Sequence, residues 1–184
     1  MPDRQNQPSK SRLAKVRLVV FDFDGVFTDN FVWISDSGER HKAFWVPDGV
    51  GIFMAHRLGL KFAIITGNDD VTTRHRAEYL RIAEVYQNVY DKGEVYDQIR
   101  DRHNLADDEI LYIGDDLPDR AVFHRDCLTL APSDAHPEIR KLAKWIGRKP
   151  GGRGIVREAI DAILAARGFD WTPATSRQVM ADHQ

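Results

Sequence analysis

The sequence predicts an α/β fold, a Rossmann-like three-layer sandwich with a mainly parallel sheet. Two observations lead to this prediction. Short apolar runs of strand length alternate with segments whose apolar residues recur at helical spacing, which is typical of a parallel sheet covered on both faces. Three of these runs are followed by acidic or hydroxyl residues: Asp22 and Thr66 come directly after their runs, and Asp115 comes after one glycine. Because parallel strands end at one edge of their sheet, we expect these side chains to share a site there.

The first strand is the segment 17–21, which is apolar after Arg17 and stops at two acids separated by one residue. Residues 30–45 contain two apolar runs around a Ser-Asp-Ser-Gly turn, which predicts a β-hairpin inserted after this strand. Asp48 is predicted to cap the helix that follows, which ends near Gly59.

The rest of the chain alternates between strands and helices. Further strands are predicted at 62–65, near 85–86, and at 110–113, 127–130 and 145–146. Helices are predicted at 71–80, 93–103, 134–144 and 155–166. The glycine-rich segment 151–154 is predicted to be a flexible hinge before the last helix.

The composition bounds the class of protein. The chain has 184 residues and a net charge of −2, which is ordinary for a globular protein and gives no basis for binding nucleic acid. The single cysteine, Cys127, excludes an internal disulfide and fits a reducing compartment. No apolar stretch approaches the ~20 residues that span a bilayer. We therefore expect a cytoplasmic protein with neither a nucleic-acid nor a membrane partner.

The domain boundaries follow from polarity. Residues 1–15 are polar and have no apolar run of the kind a signal peptide needs, so they are predicted to be a disordered leader. Residues 16–168 are predicted to form the single domain. Residues 169–184 are again polar and are predicted to be a flexible tail.

Asp22 and Asp24 stand on the same side of the first strand's end, because side chains alternate along an extended chain. Two carboxylates this close repel each other and do not both stay ionised unless a cation lies between them. Carboxylate oxygens are ligands that Mg²⁺ prefers. The sequence therefore predicts a magnesium site that includes a carboxylate nucleophile.

A carboxylate nucleophile suits phosphoryl transfer, because the aspartyl-phosphate that it forms is itself easily hydrolysed. Asp22 fits the nucleophile, and Asp24 fits the acid that protonates the leaving group and then the base that activates water. Thr66 can donate its hydroxyl to the phosphoryl group, and Lys92 offers a fixed positive charge. Asp115 is predicted to complete the Mg²⁺ shell with Asp22 and the backbone carbonyl of Asp24.

Two more acids, Asp116 and Asp119, are predicted to orient these ligands. Each residue taken singly has an ordinary explanation, since aspartates at strand ends often cap helices and a lone lysine such as Lys92 is usually solvated. What favours one shared catalytic site is that three strands end in acidic or hydroxyl residues and that Lys92 lies between the second and third of these clusters.

The order of these clusters matches a known pattern. Four segments resemble, in sequence, the four motifs of the haloacid dehalogenase superfamily of phosphatases: 21–29 (Phe-Asp-Phe-Asp-Gly-Val-Phe-Thr-Asp), 64–67 (Ile-Ile-Thr-Gly), Lys92 and 113–119 (Ile-Gly-Asp-Asp-Leu-Pro-Asp). The similarity covers about residues 15–168. Further segments are similar to the subfamily of 3-deoxy-D-manno-octulosonate 8-phosphate phosphatases and related acylneuraminate enzymes: 28–29, 38–39, 48–52 and 151–158.

This resemblance implies a capless domain that hydrolyses a phosphorylated sugar acid with Mg²⁺ through an aspartyl-phosphate. It also implies a homotetramer in which the hairpin joins neighbouring subunits and the glycine-rich segment reaches toward an adjacent active site. The resemblance assigns Thr66 and Lys92 to the phosphoryl group. It assigns six other residues to substrate binding: Asp48, Gly49, Gly67, Asn68, Arg76 and Arg153.

Three positions depart from the subfamily pattern. Pro47, Phe53 and Asn68 stand where its members usually have arginine. An arginine grips a sugar-acid carboxylate with two hydrogen bonds, and none of these three side chains replaces that contact. Among possible substrates, the overall resemblance favours 3-deoxy-D-manno-octulosonate 8-phosphate. An acylneuraminate-type 9-phosphate, another sugar phosphate, and a non-catalytic role beside a nucleotidyltransferase remain as alternatives.

Overall fold

The computed structural model describes residues 7–170. Its strands, in chain order, are β1 (Leu18–Phe21), β2 (Trp33–Ile34), β3 (Arg40–His41), β4 (Lys61–Ile65), β5 (Glu84–Tyr86), β6 (Ile110–Ile113), β7 (Leu128–Ala131) and β8 (Trp145–Ile146). Six of them form a parallel sheet in the order β5-β4-β1-β6-β7-β8. The remaining two, β2 and β3, pair as an antiparallel hairpin.

The α-helices within the described range are α1 (Lys10–Ala14), α2 (Val46–Arg57), α3 (Val71–Tyr79), α4 (Lys92–Arg102), α5 (Arg120–Phe123), α6 (Pro137–Leu142) and α7 (Ile155–Ala166). Two single 3₁₀ turns lie at Asp107–Glu109 and Leu117–Asp119. Among the described residues, none of the helices has the length and apolar character required to cross a membrane.

Side-chain alternation along the central strand explains the layers. Val19 and Phe21 of β1 face one side and pack with residues of α1, α2, α3 and α7. Leu18 and Val20 face the other side and pack with residues of α4, α5 and α6. All four are fully buried, as expected of a central parallel strand. The predicted three-layer sandwich with a mainly parallel sheet is confirmed.

The predicted hairpin lies between β1 and α2, and in the described part of the chain it is the only strand pair outside the main sheet. It has two residues in each strand, which is shorter than the apolar runs suggested. Its apolar residues are unpacked: Phe31, Trp33 and Ile34 are each 69% exposed. The capless architecture is thus borne out, and the insertion presents an apolar surface to solvent.

The predicted disordered leader is too long. Lys10–Ala14 form α1, whose first N–H groups are capped by Ser9 and whose Leu13 is buried against α7. One apolar side chain with a place in the core is enough to order this short polar segment. Residues 1–6 and the tail from 171 onward lie outside the described residues.

The glycine-rich segment 151–154 is a packed turn, so the prediction of a flexible hinge is wrong. Gly152 donates its N–H to the carbonyl oxygen of Val26 at 2.9 Å, and Gly151 donates to Asp134 Oδ1 at 2.9 Å. A Cβ atom on Gly151 would lie 2.0 Å from the carbonyl oxygen of Gly25. Glycine is needed here for close approach to the loop after β1, not for mobility.

The cap prediction for Asp48 is also wrong. The helix α2 begins at Val46, so Asp48 lies inside its first turn, and Trp45 at the N-cap makes no side-chain capping bond. Asp48 instead accepts the backbone N–H of Arg157 at 2.8 Å, near the start of α7. Its carboxylate therefore caps a helix that begins about a hundred residues later, which local sequence signals cannot reveal.

Candidate active site

The three predicted strand ends meet at one edge of the sheet. β1 lies between β4 and β6 in parallel register, so Asp22, Thr66 and Asp115 emerge side by side. They share one open cleft, whose lining is Asp22, Asp24, Asn30, Thr66, Gly67, Asn68, Lys92, Asp115, Asp116 and Pro118. The convergence predicted from the sequence is therefore present.

A buried acid cluster with one lysine forms the floor of this cleft. Carboxylate oxygens of Asp22, Asp115 and Asp119 lie within 4.8 Å of one another. Lys92 Nζ is 2.8 Å from Asp22 Oδ1 and 2.7 Å from Asp119 Oδ1. Burial alone would lower the pKa of Lys92, but the charges of Asp22 and Asp119 outweigh burial and raise it. Lys92 is therefore a permanent cation beside Asp22.

Asp119 is occupied by the protein itself. Its Oδ1 accepts from Lys92 Nζ and from the hydroxyl of Tyr112 at 2.7 Å. Its Oδ2 accepts the backbone N–H groups of Asp115 at 2.8 Å and Asp116 at 3.1 Å. Of the three clustered acids, Asp22 and Asp115 are thus left with the freer oxygens. These bonds are the ones that an orienting role for Asp119 requires.

The charges of the cluster fit a divalent cation. Three carboxylates face one ammonium group, which leaves two negative charges uncompensated when all are ionised. Burial, followed by the charge of Asp119, raises the pKa of Asp22 well above its usual range. Burial raises the pKa of Asp115 to about 6. Raised pKa values in adjacent buried acids indicate a site that lacks a positive charge.

The Asp24 carboxylate turns toward the hairpin side of the cleft. Its Oδ1 accepts from the hydroxyl of Thr28 at 3.1 Å, and its Oδ2 accepts from Asn68 Nδ2 at 2.7 Å. Lys42 Nζ lies 2.9 Å from Oδ1 and 3.0 Å from Oδ2. Three separate segments of the chain therefore fix the side chain that the sequence assigns to proton transfer.

Lys42 and Asn30 are site residues that sequence reasoning missed. Lys42 contacts Asp24, and Asn30 Nδ2 donates to Asp115 Oδ2 at 2.9 Å. A lysine directly after a short exposed hairpin is ordinarily solvated, so its sequence context gave no signal. Asn30 has a positive φ of 63°, a conformation that asparagine tolerates well, but this too appears only in the folded chain.

The side chains of Thr66 and Asp116 each accept a backbone N–H group within their own loop. Thr66 is buried at the end of β4, and its Oγ1 accepts the N–H of Asn68 at 3.3 Å. Asp116 is exposed, and its carboxylate accepts the N–H of Leu117 at 2.8 Å, which caps the 3₁₀ turn after β6. The orienting role predicted for Asp116 stays a prediction.

Four predicted substrate residues do not line the cleft: Asp48, Gly49, Arg76 and Arg153. Asp48 is buried, and burial raises its pKa to about 6. The Arg76 guanidinium lies 4.9 Å from the ring centre of Phe44. Arg153 pairs with Asp29, in the loop after β1, at 3.0 Å. Their substrate roles stay predictions, because none of these contacts is directed into the cleft.

Gly25 is a position where the site requires glycine. Its φ is +77°, and a Cβ atom there would lie 1.9 Å from Asp115 Oδ2 and 2.7 Å from Asn30 Nδ2. We expect Gly25→Ala to displace Asp115 and to lower both metal affinity and turnover. Gly59→Ala is the matched control: its φ is +78°, and nothing lies within 4 Å of its Cβ. The control measures the cost of the left-handed backbone conformation alone, which is about 1–2 kcal/mol for a residue with a Cβ atom. Equal loss of activity in both variants, measured as kcat/KM, would contradict a clash at Asp115.

The raised pKa values predict how pH and metal act on stability. The folded protein holds protons on Asp115 that the unfolded chain has released, so stability falls as pH rises from about 4 to about 6. For Asp115 the loss is on the order of 3 kcal/mol in the absence of metal. Mg²⁺ should therefore raise the Tm more at about pH 7.5 than at about pH 5. The measurement is the Tm with Mg²⁺ and with chelator at each pH. An equal increase in Tm with Mg²⁺ at both pH values would contradict the prediction.

Comparisons with known proteins agree with this geometry. No protein-family model matches the chain. The 3-deoxy-D-manno-octulosonate 8-phosphate phosphatase KdsC of Escherichia coli K12 is 35% identical over 158 residues, which are 86% of this chain and 84% of that protein. A Legionella pneumophila structure assigned to subfamily III A of the HAD hydrolases superposes with a TM-score of 0.87 at 33% identity, covering 95% of this chain and 94% of that one.

A third relative is a ligand complex. The crystal structure of 3-deoxy-D-manno-octulosonate 8-phosphate phosphatase from Moraxella catarrhalis superposes with a TM-score of 0.83 at 29% identity. The match covers 86% of this chain and 91% of that one. That structure is a complex with a magnesium ion, a phosphate ion and a KDO molecule.

The parallel sheet, the four motifs in their order and the acids at the strand ends define a phosphatase of the haloacid dehalogenase superfamily. The resemblance noted in the sequence is thereby confirmed. Within this class, the chain belongs to the KdsC family of 3-deoxy-D-manno-octulosonate 8-phosphate phosphatases.

Proposed function

We propose that this chain is a Mg²⁺-dependent phosphatase that hydrolyses 3-deoxy-D-manno-octulosonate 8-phosphate through an aspartyl-phosphate on Asp22. The observation that supports it most is the position of Asp22, buried at the end of the central strand and 2.8 Å from Lys92. The magnesium, phosphate and KDO bound by the Moraxella relative agree with the metal and the substrate class.

The metal would be held by Asp22, Asp115 and the backbone carbonyl of Asp24. When bound, Mg²⁺ neutralises charge on the phosphoryl oxygens and on the acids around it. Asn30 steadies Asp115 by donating to its Oδ2, and Asp119 holds the N–H of the same residue. Asp22 is held in turn by Lys92, so contacts already present in the protein orient both ligand residues.

The chain's own groups then account for both chemical steps. A carboxylate oxygen of Asp22 attacks phosphorus, and the bond from phosphorus to the ester oxygen breaks. Asp24 gives its proton to the departing alkoxide, and afterwards takes a proton from the water that attacks the aspartyl-phosphate. This second attack releases inorganic phosphate and restores Asp22. Lys92 has three N–H donors, of which Asp22 and Asp119 use two, so one is available to a phosphoryl oxygen.

Asn68 supports Asp24 in this mechanism rather than the substrate carboxylate. Its side-chain amide donates to Asp24 Oδ2, at a position where the subfamily usually has arginine. The carboxylate of a sugar acid therefore has one cationic contact fewer at this edge of the cleft. This difference keeps an acylneuraminate-type 9-phosphate and other sugar phosphates open as alternative substrates.

The test of the proposal is a substrate panel. Phosphate release is measured with Mg²⁺ for 3-deoxy-D-manno-octulosonate 8-phosphate, an acylneuraminate 9-phosphate, simple hexose phosphates and p-nitrophenyl phosphate. We expect the octulosonate ester to have the highest kcat/KM. If it is hydrolysed no faster than the generic aryl ester, the assigned substrate is wrong. If no ester is hydrolysed, the non-catalytic alternative is favoured.

Asp24→Asn is expected to lower turnover by about 10²–10⁴-fold, the usual contribution of general acid–base catalysis. The amide cannot give or take the proton, although its one oxygen, in the position of Oδ1, can still accept hydrogen bonds from Thr28 and Lys42. The measurement is kcat on the best substrate of the panel. Turnover within tenfold of the wild type would refute the acid–base assignment.

We further propose that the enzyme works as a homotetramer in the cytoplasm. The apolar residues exposed on the hairpin support self-association, because a monomer rarely leaves so many large apolar groups together in water. The single cysteine, which is buried and unpaired, fits a reducing compartment. Sedimentation velocity tests the assembly: Trp33→Lys is expected to give smaller species, and an unchanged tetramer would contradict the role of the hairpin.

A further inference from the structure

Lys42 is a fully buried lysine outside the predicted catalytic set. Its side chain has 0% exposure, and its Nζ lies 2.9 Å and 3.0 Å from the two carboxylate oxygens of Asp24. The same Nζ is 3.1 Å from Asp70 Oδ2 and 5.4 Å from the ring centre of Phe23. Lysine is seldom buried to this extent unless its charge is paired, so these contacts hold it in one place.

The two acids that Lys42 bridges belong to different active-site loops. Asp24 follows β1, whereas Asp70 is the N-cap of α3 and accepts the N–H of Thr72 at 2.9 Å. Lys42 itself comes directly after β3. One ammonium group thus joins the inserted hairpin to the loop after β1 and to the loop after β4.

Lys42 also differs from the other groups that hold Asp24. The hydroxyl of Thr28 and the amide of Asn68 each bond to a single oxygen, on opposite sides of the carboxylate. Lys42 contacts both oxygens and so restrains the rotation of the carboxylate plane as well as its position. Displacing a catalytic group by about 1 Å can cost on the order of 10²-fold in rate.

We propose that Lys42 is a positioning residue that holds the Asp24 carboxylate in line for proton transfer to the leaving alcohol. This inference rests on the proposed function, in which Asp24 is the acid and base. It makes the hairpin a working part of each subunit's own active site. Asp24 needs such support because its side chain is 22% exposed, against 11% for that of Asp22.

The dependence on the leaving group tests this role. An alkyl alcohol departs poorly without a proton, whereas p-nitrophenolate departs readily without one. The ratio kcat/KM reports only the steps up to departure of the leaving group, so it isolates the step that needs the acid. We expect Lys42→Met to lower kcat/KM for the sugar phosphate by about 10²-fold, the cost of a misplaced catalytic group. For p-nitrophenyl phosphate the loss should be at least about tenfold smaller.

Two further variants make the result specific. Lys42→Gln keeps two N–H donors on a side chain that is one bond shorter, so it should recover part of the loss. It replaces Lys42→Met in the comparison if that variant does not fold. Arg40→Met is the matched control. Arg40 is in β3 and also faces Asp70, at 3.9 Å, but it is 48% exposed and is not among the groups found to hold Asp24 in the described chain. For both substrates, kcat/KM of this control should stay within about twofold of the wild-type value, as expected for an exposed ion pair.

Each outcome bears on the inference. Equal losses on the two substrates would assign Lys42 to the charge or the folding of the site and would overturn its positioning role. Losses of the same size in Arg40→Met would assign the effect to the hairpin as a whole and would also overturn it. A wild-type protein that hydrolyses no alkyl phosphate with Mg²⁺ refutes the proposed function, and the inference fails with it. An active wild type with equal losses refutes the inference alone.

Discussion

Replacing Asp22 by asparagine is expected to abolish phosphatase activity. The amide oxygen is a poor nucleophile toward phosphorus, so no aspartyl-phosphate can form. Loss of a covalent nucleophile can cost roughly 10⁶-fold in kcat, so we expect a decrease of at least about 10⁴-fold. The measurement is single-turnover and steady-state phosphate release by enzyme from a host that lacks its own copy of the activity.

The same substitution should leave the protein folded. Asp22 shares its site with two other carboxylates, and its raised pKa shows that its charge is unfavourable there without a metal. Asparagine removes that charge and keeps an oxygen that can accept from Lys92. The Tm in chelator at about pH 7.5 should therefore equal or exceed that of the wild type, whereas the increase with Mg²⁺ should shrink. An unfolded variant, or one with substantial activity, would contradict the assigned role.

Lys92→Met should have the largest effect on stability. Lys92 is buried, and it is 2.8 Å and 2.7 Å from Asp22 and Asp119, which methionine would leave uncompensated. Removing one partner of a buried ion pair costs about 3–5 kcal/mol. Because acids that lose a cation become harder to ionise, the penalty should shrink as pH falls and they take up protons. Turnover should also fall by about 10²–10³-fold, since a donor to the developing phosphoryl charge is lost.

Lys141→Met is the matched control for this prediction. Lys141 also lies close to a carboxylate, with Nζ 2.6 Å from Glu138 Oε1, but both side chains are exposed. An exposed pair of this kind contributes about 0–1 kcal/mol. Urea unfolding of the two variants at about pH 7.5 and about pH 5 compares buried with exposed charge directly. Equal losses in the two variants would show that Lys92 does not compensate the acid cluster.

Much of the site could be predicted because its residues follow short apolar runs that can be recognised in the sequence. Asp22 follows a short, β-branched apolar run that predicts a buried strand, and Thr66 and Asp115 follow two more such runs. In a parallel sheet these ends must lie at one edge, and the strand order β4-β1-β6 then places them side by side. Lys92 has no local signal, since an isolated lysine is usually solvated. Its role was predicted from its place between the second and third clusters and from the family pattern.

Other features could not be predicted, because they join segments far apart in the chain. Asp48 has the spacing of a helix cap, yet it binds the N–H of Arg157 at the start of α7. The segment 151–154 has the glycine content of a hinge, yet its glycines allow close packing against the loop after β1. A local pattern fixes which conformations are accessible, whereas contact with a distant segment decides which of them is used.

The sequence by itself determined the class of fold, the order of the strands' acidic ends and the phosphatase chemistry that they support. The fold class follows from alternation and strand length, which act over a few residues. The chemistry follows from the acids at the strand ends and from the resemblance of the four motifs to the haloacid dehalogenase superfamily. The tertiary structure alone decided that Lys42 is buried against Asp24, that Asn68 serves the same carboxylate, and that Asp119 is saturated by the protein's own donors. Burial and pairing of charges depend on which surfaces meet in space, and only the packed chain determines that.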